Sequence, residues 1–224
     1  IFTHVKDVNR PEGSDSDRII IISHRQDVWI WVIPFADGTT SIGFVGNPEF
    51  FKEFEGTEDE RLRAMLAAEP HTAERFKDTE FKFEPVTIEG YSISIKQLYG
   101  DGYILTGNAT EFLDPVFSAG VTFATESGAA AAKLATRQLK GETVDWDKGY
   151  SDVVLHGVEV FRTYIEGWYS GTVPKIFFAE DPGQDNKNKI CSVLAGYVWD
   201  MDNPYVKKHN TVLDTLAQVI DIQS

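Results

Sequence analysis

The sequence predicts a mixed α/β (α+β) chain in which a mixed or antiparallel sheet is followed by helices. β-Branched and aromatic runs dominate residues 1–45, whereas apolar residues recur at helical spacing after Gly141. Between them, a strand-turn-loop-helix unit spans residues 102–139. With 224 residues, 42% hydrophobic and 12% aromatic, the chain can bury a sizeable core as one large domain or a domain with an added layer.

The opening stretch Ile1–Val8 reads as a strand. A start inside a strand without an initiator methionine leads to the expectation that residues precede it. Arg18–His24, Asp27–Phe35 and Thr39–Val45 follow as strands, with Asp37-Gly38 as a hairpin turn because glycine accepts positive φ. Their unbroken apolar character predicts cover on both faces. Thr57-Glu-Asp-Glu60 is a capping box opening a helix to about Ala68, and a shorter helix is expected over His71–Lys77. Strand character returns over Val86–Leu98, with Gly90 as a bulge or kink, and over Gly102–Thr106.

Ala119–Leu139 is helical and rich in small residues (Ala124, Gly128, Ala129–Ala132, Ala135), which predicts a buried helix approached closely by other backbone. Further helices are expected at Asp147–Trp168, Lys175–Ala179, Lys187–Trp199 and Asn203–Ile220. This organisation divides into a sheet with inserted helices (1–100), a strand-loop-helix segment (101–140) and a helical C-terminal region (141–224).

A formal net charge of −14 repels DNA and anionic lipid, so neither is an expected partner. One cysteine, Cys191, and five scattered histidines offer neither a disulfide framework nor metal-ligand spacing. No apolar run is long enough to cross a bilayer and no signal peptide is evident, so a reducing, cytoplasmic setting is the expectation.

The chemistry-bearing stretch is Gly102–Val121, which reads as strand, Gly turn, irregular loop and helix start near Ser118. Free N–H groups and the positive dipole end at a helix start attract anions. Within it, Phe112-Leu-Asp-Pro115-Val-Phe-Ser118-Ala-Gly120-Val121 resembles the F-x-x-P-x-x-S-x-G segment of flavin-dependent halogenases. Gly107-Asn108 resembles the Gly-Asp pair of the wider hydroxybenzoate-hydroxylase-like flavoproteins. A second stretch, Trp29-Ile-Trp31-Val-Ile33-Pro34, is similar to the halogenases' W-x-W-x-I-P pattern. On a strand, Trp29, Trp31 and Ile33 share one face, and Val28, Ile30 and Val32 the other.

The resemblance covers most of residues 1–140 and implies an FAD/NAD(P)-binding flavoprotein fold of the hydroxybenzoate-hydroxylase type. It implies an FAD-dependent oxidoreductase that uses reduced flavin, O₂ and halide to halogenate an electron-rich phenolic or pyrrolic aromatic, free or tethered to a carrier protein. A flavin reductase would supply the reduced flavin. Gly107, Asn108, Pro115, Ser118, Ala119, Gly120 and Val121 would contact FAD, and the amides of Ser118, Gly120 and Val121 would face halide. Trp29, Trp31, Ile33, Pro34, Phe112 and Phe117 would wall the cavity. Reduced flavin is electron-rich near N1, where a helix N-terminus stabilises negative charge. Halide offers only charge and size, which backbone N–H groups suit.

Asn108 stands where the family has Asp, so it accepts a hydroxyl bond but brings no charge. The tryptophan-type enzymes place a catalytic Glu in the loop, and no Glu lies between Glu111 and Glu126. The family's lysine and its G-x-G-x-x-G fingerprint are expected upstream of Ile1. Gly100-Asp-Gly102 only begins like that fingerprint and reads as a turn. Two other readings stay open. One is an FAD-dependent reductase or dehydrogenase similar to geranylgeranyl reductases, whose aromatic strand precedes a G-x-G that Gly43 only half matches, or a flavin monooxygenase. The other is a partner-binding module using exposed aromatics such as Trp168, Tyr169 and Trp199.

Overall fold

The computed structural model describes residues 1–223. It divides into two compact units, Ile1–Glu89 and Gly90–Ser224.

The first unit is built on a four-stranded antiparallel sheet of β1 (Phe2–Lys6), β2 (Ile20–Arg25), β3 (Val28–Pro34) and β4 (Thr39–Gly46), in the order β1-β4-β3-β2. The β3–β4 hairpin turns at Asp37-Gly38. Gly38 has φ of 84°, and the Asp37 carboxylate accepts from the Thr39 amide at 2.9 Å and from its hydroxyl at 2.6 Å. In register, Trp31 faces Gly43 and Trp29 faces Val45, so the two tryptophans share one side of the sheet. Val28, Ile30 and Val32 fall on the other side, where they form a core with Val5, Ile42 and Phe44.

Three helices close that core: α1 (Pro48–Phe51), α2 (Glu58–Ala68) and α3 (Pro70–Phe76). Both halves of the Thr57–Glu60 capping box form at the start of α2. Leu62, Met65 and Leu66 from α2 and Phe76 from α3 reach the core. Asp7, at the end of β1, is buried between the Arg75 guanidinium at 2.5 Å and the Thr40 hydroxyl at 2.6 Å, which pins α3 to the sheet.

The second unit begins with short pairs: β5 (Ile93–Ser94) with β8 (Glu111–Phe112), and β6 (Tyr99–Gly100) with β7 (Tyr103–Ile104). The long strand expected over Val86–Leu98 does not form. Val86 makes an isolated antiparallel bridge to Phe2, Gly90 then adopts φ of 63°, which breaks the extended run, and beyond it Ile93 and Ser94 pair with β8. Gly100-Asp101-Gly102 is a hairpin turn in which the Tyr103 ring occupies the space that a side chain at Gly100 would need.

Helices complete this unit: α4 (Gly120–Leu139), α5 (Asp152–Ser170, entered through one π-helical turn, Asp147–Ser151), α6 (Thr172–Phe178), α7 (Gln184–Leu194), α8 (Pro204–Lys207) and α9 (His209–Gln223). α5 is central, burying Val154, Val158, Phe161, Tyr164 and Trp168, and ends at Gly171 with φ of 90°. The helices expected over 187–199 and 203–220 both differ from expectation. The first stops at Leu194 because Gly196 takes φ of 102°, and the second is interrupted at Lys208. The burial expected of the small-residue helix α4 holds on one face only. Phe123, Ser127, Ala131 and Leu134 are buried, while Ala129 and Ala132 are exposed and nothing approaches Gly128. Trp168 and Trp199, named as candidate partner contacts, are engaged within the unit: Trp168 is buried, and the Trp199 indole lies on Gly157 and donates to the Val153 carbonyl at 2.6 Å. Among the described residues, no helix is long and apolar enough to cross a membrane.

Two stability predictions follow from these contacts. A methyl at Gly43 would sit 2.3 Å from the Trp31 ring and 2.7 Å from Phe2 Cβ, so Gly43→Ala is expected to destabilise by about 1–3 kcal/mol in urea unfolding. His209, whose Nδ1 lies 2.7 Å from the Thr163 hydroxyl, is held below its ordinary value of 6.5 by burial and by neighbouring His156. Folding therefore favours its neutral form, and that contribution is full above the ordinary value and lost as pH falls from there through the lowered one. The urea midpoint should fall between about pH 7.5 and about pH 5, less steeply in His209→Gln.

Candidate functional site

The site is built by the path from β7 to α4. Gly107 turns with φ of 56° into a 3-10 turn, Gly107–Ala109, that starts against α4. A side chain at Gly107 would meet Ala124 Cβ at 3.1 Å, so here the helix's small residue does permit close backbone approach. The Gly107 amide donates to the Ser127 hydroxyl at 2.8 Å, and that hydroxyl donates to the Phe123 carbonyl. The Thr110 hydroxyl donates to the Gly107 carbonyl at 2.7 Å. Asn108 thereby lies over the first turn of α4, its Oδ1 3.4 Å from where a Cβ on Gly120 would be.

The chain then forms β8 and a second 3-10 turn, Pro115–Phe117, which Asp114 caps by accepting the Val116 amide at 2.9 Å. Ser118 follows in the left-handed region with φ of 53°, the one described non-glycine residue at positive φ. Such a conformation costs roughly 1–2 kcal/mol in an L-residue, so the neighbouring contacts must hold it. Phe117 packs edge-on against Trp168 of α5, ring centroids 5.9 Å apart.

This geometry leaves a run of donors free. The Phe123 amide is the first of α4 to find an acceptor, the Ala119 carbonyl at 3.0 Å. Ala119 caps the helix with no side-chain hydrogen bond, and the amides of Ala119, Gly120, Val121 and Thr122 have no acceptor among the described residues. The expectation for Ser118 needs correction: its amide is taken by the Pro115 carbonyl at 2.9 Å. The free run therefore lies one residue further on than the sequence suggested, at 119–122. Val121 is 76% exposed, so this end of the helix is accessible within its unit.

Asp114 opens the turn that leads into these amides. Burial pushes its carboxyl above the usual carboxylate range, opposed by bonds from the Val116 amide and from the Tyr169 and Tyr91 hydroxyls. The hydroxyl bonds are 2.8 Å and 3.3 Å long. Burial and the carboxylate raise the Tyr91 phenol well above its ordinary value. The sequence motif contains Asp114 but assigns it no part, and nothing in the sequence links it to Tyr91 or Tyr169. An Asp before Pro at a turn start was the one available signal.

The remaining candidates fall in two places. In the first unit, Trp29 is buried and Trp31 half-buried, with ring centroids 5.9 Å apart and the Trp31 Nε1 donating to the Ser41 hydroxyl at 3.0 Å. Ile33 and Pro34 continue the same strand, both half-buried. In the second unit, Phe112 packs edge-on against Tyr91 at 5.7 Å. A cavity of about 880 Å³ in this unit lies at the other end of α4, between Lys96, Tyr99, Tyr103, Leu139 and Trp146. Among its polar groups, the Tyr99 hydroxyl donates to Asp147 at 2.8 Å and the Trp146 Nε1 to Gln138 at 2.7 Å.

Comparison with known proteins supplies the context. The tryptophan halogenase family profile matches residues 22–174. A brominase of pyrrole-2-carbonyl groups on a peptidyl-carrier protein, from Pseudoalteromonas luteoviolacea, is 28% identical over 205 residues, 90% of this chain and 50% of that protein. The corresponding chlorinase from Pseudomonas fluorescens is 26% identical over 199 residues, 87% of this chain and 42% of that protein. The chain thus spans about half the length of the curated relatives it matches. A flavoprotein/dehydrogenase from Cytophaga hutchinsonii superposes with a TM-score of 0.95 at 58% identity, over 99% of this chain and 54% of that one. The flavin-dependent brominase Bmp2 shares the fold with a TM-score of 0.81 at 24% identity, over all of this chain and 55% of that one.

The strain at Ser118 can be tested directly. Ser118→Gly should leave the urea midpoint close to that of the parent, whereas the β-branched Ser118→Val should lose about 1–2 kcal/mol.

Proposed function

The chain belongs to the tryptophan halogenase family, and from that premise we propose that the whole protein is an FAD-dependent halogenase acting on an electron-rich phenolic or pyrrolic ring. The observation that carries this reading is the run of four unpartnered amides at the start of a 20-residue helix, directly after the Pro115–Ser118 turn. Such a helix start concentrates about half a positive charge at its N-terminus, where an anion is stabilised.

The residues suit FAD. Gly107 permits backbone approach, the Asn108 carbonyl oxygen can accept from a ribitol hydroxyl, and the amides of Ala119, Gly120 and Val121 can face an electron-rich ring edge. Pro115 and Ser118 would set the path of the loop along the cofactor, Ser118 through its hydroxyl and backbone shape rather than its amide. Bound FAD would supply the redox chemistry that couples O₂ to oxidation of a halide. This chain's part is to present donors to anions, with Asn108 neutral where a charged residue would compete. In the first unit Trp29, Trp31, Ile33 and Pro34, and in the second Phe112 and Phe117, would each offer flat apolar surface suited to an aromatic substrate.

A fold of the hydroxybenzoate-hydroxylase type is part of the same proposal, as are a cytoplasmic setting and a reductase partner that supplies reduced flavin. The substrate class is supported from two sides. The loop 112–121 contains no Glu, unlike the tryptophan-specific pattern, and two relatives act on pyrroles held by a carrier protein.

The deciding experiment incubates the whole protein with FAD, a flavin reductase, NADH, O₂ and bromide against phenols and a carrier-bound pyrrole. Mass spectrometry should find brominated product that depends on both O₂ and bromide. Oxidation or reduction of substrate with no bromide dependence would overturn the halogenase reading in favour of a dehydrogenase or reductase.

A further inference from the structure

A half-buried, desolvated carboxylate five residues before the first free amide needs a reason, because its charge opposes the purpose of an anion site. Asp114 has no cation as a partner: none of the ion pairs among the described residues includes it. Its bonds instead come from three neutral donors on three different pieces of chain. Oδ1 accepts the Val116 amide inside the turn, and Oδ2 accepts the hydroxyls of Tyr169 on α5 and Tyr91 ahead of β5.

We propose that Asp114 is a positioning residue whose carboxylate ties the Pro115–Phe117 turn to Tyr91 and Tyr169, and so holds the free amides of Ala119–Thr122 in the geometry that binds halide. The inference rests on the halogenase reading above and concerns how its anion site is held.

The physical case has three steps. The Ser118 amide bonds to the Pro115 carbonyl, so the turn that Asp114 caps directly sets the direction in which the chain enters α4. Ser118 is held in the left-handed region, which a mobile loop would abandon. The frame that holds it has two anchors on α5, the Tyr169 bond to Asp114 and the Phe117 contact with Trp168, one on each side of the turn. A charged acceptor also makes stronger bonds to neutral donors than an uncharged one would, which suits a clamp.

The ionised form is the one that can accept all three donors, since a proton on one oxygen removes an acceptor site. The titratable groups facing it are the phenols of Tyr91 and Tyr169, and no charged side chain acts on it from α5 or from the segment before β5. Loss of the clamp should therefore follow protonation of Asp114 itself. The sign separates positioning from stability. Burial raises this carboxyl, so folding favours its protonated form, and its own contribution to stability grows as pH falls through that raised value toward the ordinary 3.8. Halide binding should weaken over the same interval in which that contribution improves.

The test uses the whole flavin-loaded protein and the variants Asp114→Asn, Tyr169→Phe and Tyr91→Phe. Bromide is titrated against the flavin absorption spectrum, and bromide and aromatic KM are measured beside thermal midpoints. Asp114→Asn should raise the bromide Kd and KM by about tenfold, the scale of a lost charge-assisted hydrogen bond, and leave the aromatic KM within about twofold. Tyr169→Phe should raise the bromide constants less, and Tyr91→Phe, which removes the longer bond, least. Parental bromide affinity should decline on acidification, and Asp114→Asn should lack that decline. Unchanged bromide constants in both Asp114→Asn and Tyr169→Phe would overturn the inference, as would equal shifts in bromide and aromatic KM with a matching fall in thermal midpoint. If the parent gives no flavin-bromide response and no brominated product, the halogenase reading itself fails, an outcome distinct from failure of the clamp alone.

Discussion

The second unit depends on an α-helix that begins without a cap. A helix start leaves four amides without intrahelical acceptors, and most sequences place Ser, Thr, Asp or Asn there to satisfy one of them. α4 has Ala119 at that position, and the two residues before it are shaped by a strained Ser118 and an aromatic contact, not by a capping side chain. A capping side chain would add about 1 kcal/mol of stability but would also occupy the anion-binding end. An uncapped start presented by a rigid turn is therefore what a site for small anions requires.

Much of this could be read from the sequence, and the reasons are local. The hairpin at Asp37-Gly38, the capping box at Thr57–Glu60 and the turn at Gly100–Gly102 each depend on residues within a few positions of one another. The same holds for the facing of Trp29 and Trp31, which alternation along one strand determines. Gly43 shows the limit of reading by motif. Its spacing after the tryptophan strand suggests a glycine signature, yet its role here is to make room for the Trp31 ring across the ladder.

What could not be read depends on partners distant in sequence. The strand expected over 86–98 has suitable β-branched residues, but a ladder needs a neighbour, and the run found only a single bridge at Val86 and a two-residue ladder at Ile93–Ser94. The alanine-rich α4 has the composition of a buried helix, yet close approach occurs at Ala124 against Gly107 and not along the outer face. The site shows the same division. The motif located the loop, but the one-residue offset of the free amides came from the Ser118–Pro115 bond, which depends on a left-handed serine.

The arrangement around Asp114 shows how a negative charge can serve a site that binds negative charge. Placed at a helix start, as an Asp at position 108 would be, a carboxylate competes directly for the amides, and here that position is neutral. Placed at the far end of a 3-10 turn, its charge is spread over three donors and its field at the amides is weakened by distance, while its bonds fix the turn. Burial is the condition that makes this work. An exposed carboxylate would exchange these donors for water, and the phenols of Tyr91 and Tyr169 would then hold nothing in place. The same burial raises the carboxyl toward protonation, so the strength of the clamp and its sensitivity to acid come from one physical cause.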